Sequence, residues 1–201
     1  MSVEASTERS HRDTLLHEGM RQIFRNGVHG TTVDGLLAAS GVPKGSFYHH
    51  FGTKERFVSA VLERYGAFHR RRLAAWQQRD GLRTPEQVAG YFRELTGIFV
   101  RSGYLYSDLS GKVVCELAVA SDPLREQIAE NMQEFLAAMT QVIADGQQRG
   151  DVRGDRDPRQ LASAAHALID GAFLVAQSTH DENALESIAT ALERLLSPDP
   201  G

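Results

Sequence analysis

Apolar residues recur at helical spacing along almost the whole chain. The first such segment covers about residues 10–26 and ends at Asn26-Gly27, a pair that stops helices. Its apolar positions recur at helical spacing between polar residues: Leu15, Leu16, Met20, Ile23 and Phe24. The pattern predicts one amphipathic helix here.

Two short helical segments follow. Thr31-Thr32 offers an N-cap for a helix over Val33–Ser40, and Gly41 closes it. Pro43 suits the first turn of a helix that runs to about His50. The interruption at Gly52-Thr53 then leads into a long fourth helix, from Lys54 to about Arg79.

The remaining chain predicts five more helices. Breaks fall at Gly81 with Thr84-Pro85, at 101–103, at 121–123, between 149 and 158, and at Asp181. No stretch alternates apolar and polar residues with the period of a strand, so the predicted fold class is all-α.

Residues 33–50 have the organisation of a helix-turn-helix, because two short helices meet at a tight turn around Gly41-Val42. At about 100° per residue, the second helix places Pro43, Phe47 and, in part, Ser46 and His50 on a packed side. The opposite side would present Lys44, Gly45, Tyr48 and His49. Such a face suits the edge of a DNA groove and its flanking phosphates.

The run 31–55, TTVDGLLAASGVPKGSFYHHFGTKE, closely resembles the DNA-binding domain of the tetracycline-repressor (TetR) family. With the flanking helices, the resemblance covers residues 10–66. It implies an N-terminal three-helix DNA-binding domain and a C-terminal helical ligand-binding and dimerisation domain. It also implies a ligand-responsive repressor that a small apolar or aromatic molecule releases from a palindromic operator.

The resemblance further assigns roles to single residues. Thr32 and Lys54 would hold phosphates at helix N-termini, and Tyr48 and His50 would contact the DNA backbone. Lys44, Gly45, Ser46 and His49 would lie at or near base edges. For His50 the resemblance and the helical wheel disagree, since the wheel turns this side chain partly inward.

The distribution of charge and the composition indicate which part of the chain binds anions and exclude several kinds of site. The chain of 201 residues has a net charge of −4, yet residues 1–56 hold seven basic against six acidic side chains and five of the eight histidines. The N-terminal part is therefore the expected anion-binding end. The single cysteine excludes an internal disulfide and a cysteine-cluster zinc site, and no apolar run could span a membrane. A signal-peptide pattern is absent, so a cytoplasmic protein is expected.

No catalytic or cofactor-binding motif occurs in the sequence, so neither an enzyme nor a cofactor or metal site is expected. A non-specific architectural DNA binder is the alternative from another class. Strong overall basicity would favour it, and a pI near 6.1 does not.

The last two helices, about 158–177 and 184–196, each carry an apolar stripe. Members of the family pair such helices with those of a second copy, so a homodimer is implied. The candidate interface residues are Leu161, Ala165, Leu168, Ala172, Val175, Ile188 and Leu192. The alternative is that both stripes pack only within one subunit.

Candidates for an effector site are aromatic, soft or titratable side chains of the C-terminal part. Those selected are Tyr104, Cys115, Phe135 and His166. The stretch from Arg101 resembles a subgroup of the family that responds to electrophilic or aromatic toxicants. This subgroup often has a cysteine directly after the glycine, where the chain has Tyr104. Thiol-based electrophile sensing through Cys115 is thus an alternative, whereas a small buried Cys115 is the simpler expectation.

These patterns predict four segments: a flexible N-terminus (1–9), the DNA-binding domain (10–66), the ligand-binding and dimerisation domain (67–196) and a frayed tail (197–201). The expected partners are double-stranded operator DNA, a second copy of the chain and a small-molecule effector.

Overall fold

The computed structural model describes residues 10–117 and 122–198, and helices are the only regular elements within these ranges. The prediction of an all-α fold is confirmed. The expected flexible N-terminus (1–9) and residues 199–201 of the expected tail lie outside the described residues. In chain order the helices are α1 (His11–Gly30), α2 (Val33–Ser40), α3 (Lys44–Phe51), α4 (Lys54–Gln77), α5 (Thr84–Arg101), α6 (Leu109–Leu117), α7 (Asp122–Arg149), α8 (Pro158–Thr179) and α9 (Glu182–Leu196).

The chain divides into two compact units. Unit 1 comprises residues 1–64 and 110–127, and unit 2 comprises 65–109 and 128–201. Helices α4, α6 and α7 each contribute residues to both units. Most of α6 thus groups with unit 1, although the sequence analysis placed it in the second domain. The boundary near residue 66 stays a prediction.

In unit 1, helices α1, α2 and α3 pack around aromatic and aliphatic side chains. Phe47 of α3 and Phe57 of α4 are fully buried, with ring centroids 5.4 Å apart. Gly19 of α1 lies directly under Phe57, since a Cβ there would come within 2.2 Å of the ring. The glycine therefore allows α1 and α4 to approach closely.

Helix caps explain where α2 begins and ends. The hydroxyl oxygen of Thr32 accepts a hydrogen bond from the backbone N–H of Gly35 at 3.1 Å. A Cβ on Gly35 would lie 2.9 Å from that oxygen, so the glycine leaves room for the cap. Gly41 ends the helix in the left-handed conformation, with φ of 68°.

In unit 2, helices α5, α8 and α9 form most of the core. α9 packs against both α5 and α8, and the inward face of α8 is fully buried: Leu161, Ala162, Ala165, Ile169, Ala172, Phe173 and Ala176. Among the described residues, no helix is long and apolar enough to cross a membrane.

Trp76 joins α4 to α5 within this unit. Its indole lies over Gly90, where a Cβ would come within 2.3 Å of the ring, and its Nε1–H donates to Glu94 at 2.7 Å. The guanidinium of Arg79 lies 3.5 Å from the ring centroid. The indole is thus held by an apolar contact, a hydrogen bond and a cation–π contact.

Candidate DNA-binding face and effector site

Helix α3 is anchored by its aromatic residues. Phe47 and Phe51, four residues apart, are buried, and each ring also contacts Phe57 of α4, at centroid distances of 5.4 and 5.0 Å. One side of α3 is fixed on the core of unit 1, which leaves the rest of this short helix available to a partner.

The exposed surface of α3 holds most of the predicted DNA-contacting residues. Lys44, Gly45, Tyr48 and His49 are exposed, with Tyr48 at 49%, and Ser46 is partly exposed. The Tyr48 ring meets the buried Phe47 ring edge to face at 5.4 Å. A rigid aromatic contact therefore positions the phenol at the surface.

The helical wheel was wrong for two residues. It turned Pro43 and, in part, His50 inward, but both are exposed. The inward stripe consists of Phe47 and Phe51, and His50 lies beside it in the last turn. The side chain of His50 is therefore accessible, as the family resemblance requires.

The two lysines differ in their surroundings. Lys44 forms an exposed ion pair with Asp34 of α2 at 3.2 Å, and this pair raises the pKa of Lys44. Exposed ion pairs are weak, so DNA can replace Asp34 at low cost. Lys54 begins α4, directly after Thr53, whose hydroxyl oxygen caps the helix by accepting from Arg56 N–H at 3.2 Å. Exposed amides at such a helix start favour phosphate.

In unit 2, side chains from α4, α5, α7 and α8 converge on Phe135. The His69 ring lies 6.2 Å from it, Tyr91 6.0 Å and His166 5.5 Å, measured between centroids. Nδ1 of His69 and the Tyr91 hydroxyl are hydrogen bonded at 2.7 Å. Tyr65 packs on His69 at 4.4 Å and donates its hydroxyl hydrogen to the Ser107 carbonyl. We call these five residues, Tyr65, His69, Tyr91, Phe135 and His166, the interior cluster.

Burial decides the charges in and beside the interior cluster. It lowers the pKa of His69 to about 4, helped by His166, and it lowers the pKa of His166 as well. The nearby Asp170, whose Oδ1 lies 3.4 Å from His166 Nδ1, has its pKa raised to about 7 by burial and by Asp108. Both imidazoles are therefore neutral near pH 7 and can accept or donate hydrogen bonds.

Two members of the interior cluster, Tyr65 and His69, are half-buried. Burial raises the pKa of Tyr65 well above its usual value. Aromatic walls with a few hydrogen-bonding groups suit a small aromatic molecule.

The four predicted effector residues do not form one group. Phe135 and His166 lie together, whereas Tyr104 stacks in parallel on His180 with ring centroids 4.0 Å apart. Cys115 belongs to unit 1 and is exposed, so the expectation of a buried cysteine was wrong. On the short helix α6, Val113 and Leu117 take the buried positions, and Cys115 lies on the other side.

The predicted dimer residues separate into two sets. Leu161, Ala165, Ala172 and Leu192 are buried within a single chain and so have little surface left for a partner. Leu168, Val175 and Ile188 reach the surface at least in part. The exposed side of α8 carries a row of apolar and small residues, of which the sequence predicted only Leu168 and Val175 as interface residues. The row consists of Ala164, Ala167, Leu168, Gly171, Leu174 and Val175.

Sequence reasoning missed His69 and Tyr65 as members of the site. Both lie on α4, one turn apart, and the sequence analysis predicted this helix without placing an effector contact on it. A histidine four residues after a tyrosine lies on the same face of a helix, and this spacing was the available indication. Among the described residues, no three His, Cys, Asp or Glu side chains are grouped to hold a metal ion.

Comparison with known proteins gives a consistent result. The profile of the bacterial regulatory proteins of the tetR family matches residues 15–61, and that of the tetracyclin repressor-like C-terminal domain matches 109–192. The chain is similar to the HTH-type transcriptional repressor NemR of Escherichia coli, with 28% identity over 95% of this chain and 96% of the relative. It is also similar to the HTH-type transcriptional repressor DhaR of a Mycobacterium species, with 27% identity over 93% and 92% of the two chains.

Solved structures agree with the sequence relatives. The crystal structure of reduced E. coli NemR matches with a TM-score of 0.85 and 26% identity, covering 96% of this chain and all of that one. A regulatory protein TetR from Rhodobacter sphaeroides matches with a TM-score of 0.82 and 26% identity, covering 91% and 97%.

Proposed function

Because the chain belongs to the TetR family of helix-turn-helix transcriptional regulators, we propose that it is a repressor that binds a palindromic operator as a homodimer and is released by a small apolar or aromatic molecule. The observation that carries the proposal is the exposed face of α3, on which Lys44, Tyr48 and His49 surround a buried Phe47 anchor. Its relatives NemR and DhaR are both named as repressors.

In this proposal α3 enters the major groove. Lys44, Gly45, Ser46 and His49 lie at base edges, and Tyr48 and His50 contact the backbone. Thr32 and Lys54 bind phosphates at the starts of α2 and α4. The exposed position of His50 supports its inclusion.

The homodimer forms through the exposed apolar row of α8 together with Ile188 of α9. Leu174 is 73% and Val175 53% exposed in the single chain, a large apolar surface for a single helix. Gly171 has open space around it, so no contact within the chain explains the missing side chain. A second helix approaching closely at Gly171 does explain it.

The effector binds at the interior cluster, with Phe135 and His166 as predicted and with His69 and Tyr91 as further contacts. The aromatic rings around Phe135 and the neutral imidazoles support an uncharged aromatic molecule with a hydrogen-bonding group. For a hundredfold loss of operator affinity, the effector must bind the released form about 3 kcal/mol more tightly. Tyr104 takes part less directly, since its ring is already stacked on His180.

Selection of DNA from a random library tests the proposal. We expect enrichment of a palindrome with half-sites about 34 to 36 Å apart or at a multiple of that spacing. Lys44→Ala should relax base preference at one half-site position. Lys54→Ala should weaken binding to all sequences and lower the slope of log K against log salt concentration by about 1. Equal binding of random and selected DNA would instead indicate the non-specific architectural binder.

A further inference from the structure

Helix α1 is interrupted one turn before its end. Gly27 has φ of 73° and ψ of 177°, which are not helical values. In a continuous helix, the N–H of Val28 would donate to the carbonyl of Phe24, four residues earlier. The interruption separates these two groups, and each requires another partner.

Helix α6 supplies both partners. The Glu116 carboxylate accepts hydrogen bonds from the backbone N–H groups of Val28 at 2.7 Å and of His29 at 3.2 Å. The Lys112 ammonium donates to the Phe24 carbonyl at 2.6 Å. Residues four apart share one helix face, so a single face of α6 binds both sides of the kink. Charge-assisted hydrogen bonds take the place of one helical hydrogen bond.

Gly27 is required for this arrangement in two ways. Its positive φ favours glycine, and a Cβ there would lie 2.1 Å from Oε1 of Glu116. The kink and the carboxylate therefore fit each other, although 89 positions separate them in the sequence.

The kinked turn leads directly into the helix-turn-helix. The Gly27 carbonyl accepts a hydrogen bond from the buried Thr31 hydroxyl at 2.7 Å, and the next residue, Thr32, caps α2. α1 also packs against α2 and α3. The position of the turn thus fixes where α2 begins.

We propose that Lys112 and Glu116 are positioning residues for operator binding, which hold the kink of α1 and through it the helix-turn-helix in the geometry that binds DNA. This inference rests on the proposed function.

Two variants separate positioning from simple stabilisation. Glu116→Ala should raise the Kd for the selected operator by about tenfold or more and lower the midpoint of thermal unfolding. Gly27→Ala combined with Glu116→Ala removes both the positive φ and the carboxylate, so α1 can continue with Val28 N–H bonded to Phe24. This double variant should regain thermal stability and still bind the operator weakly. Glu63→Ala, an exposed carboxylate on α4 of the same unit, is the matched control and should change neither property.

The proposal is overturned if Glu116→Ala binds the operator as tightly as the wild type, or if the double variant recovers affinity together with stability. Should Glu116→Ala fail to fold, Lys112→Ala removes the donor to the Phe24 carbonyl, and unchanged operator affinity in that variant has the same meaning. If the wild type selects no DNA sequence, the proposed function fails. Amide hydrogen exchange then decides the clamp, because Val28 and His29 must exchange faster in the variant than in the wild type.

Discussion

Leu174 provides the sharpest test of the dimer. Replacing it with arginine removes an apolar side chain that is 73% exposed in the single chain, so the substitution disturbs few contacts within the subunit. The unfolding free energy of the subunit should change by no more than about 0.5 kcal/mol. In a twofold dimer, by contrast, the side chain is buried in both copies, and its loss counts twice.

The magnitude follows from the exposed area. Full burial of a leucine side chain contributes about 1.5 to 3 kcal/mol, and roughly three quarters of that is available here in each copy. The dimer should therefore lose roughly 2 to 4.5 kcal/mol, which is about a 30- to 1,600-fold rise in its dissociation constant. Arginine adds two like charges near the axis and weakens the dimer further.

Sedimentation over a concentration series measures the dissociation constant, and circular dichroism checks that the helices remain. Leu82→Arg is the matched control, because Leu82 is an exposed leucine, at 39%, in the connection between α4 and α5. The reasoning is refuted if Leu174→Arg dimerises as tightly as the wild type, or if both variants weaken the dimer equally.

Two further predictions concern titratable groups. Since burial and Asp108 raise the pKa of Asp170 to about 7, against about 3.9 in an unfolded chain, the wild type loses stability as the pH rises from about 4 to 7. The Asp170 side chain is 40% exposed, so solvent screening reduces this loss. In urea unfolding, the free energy of unfolding of Asp170→Asn should rise by about 1 kcal/mol relative to that of the wild type between pH 4 and pH 8. A pH-independent difference would contradict the assignment. N-ethylmaleimide should alkylate the exposed Cys115 and leave operator affinity within about twofold of that of the untreated protein. If the reagent instead released DNA from the wild type but not from Cys115→Ser, thiol sensing would be established.

Local signals in the sequence predicted the helix-turn-helix closely. α2 has the predicted bounds, with Thr32 as its N-cap and Gly41 as its C-cap. α3 begins one residue after Pro43, as the fixed φ of proline permits. These features depend on residues within a few positions of one another, so a single sequence contains the necessary information.

Features that depend on distant residues were not predictable in the same way. Gly27 was interpreted as the end of α1, but the helix resumes for one turn because α6 satisfies the groups exposed by the kink. α8 is apolar on two faces, so periodicity alone could not separate the core face of Leu161 and Ala165 from the exposed face of Leu174. Most of the contacts that place His69 in the interior cluster come from distant positions, since Tyr91, Phe135 and His166 lie on α5, α7 and α8.

The fluorescence of Trp76 reports on the contact between α4 and α5. It is the only tryptophan of the chain, and its indole is held between α4 and α5 of unit 2 by Gly90, Glu94 and Arg79. Its emission during denaturation therefore records the separation of these two helices, whereas far-ultraviolet circular dichroism counts the helices of both units. Transitions with different midpoints would mean that the units melt independently, and coincident transitions would mean that they melt as one cooperative structure.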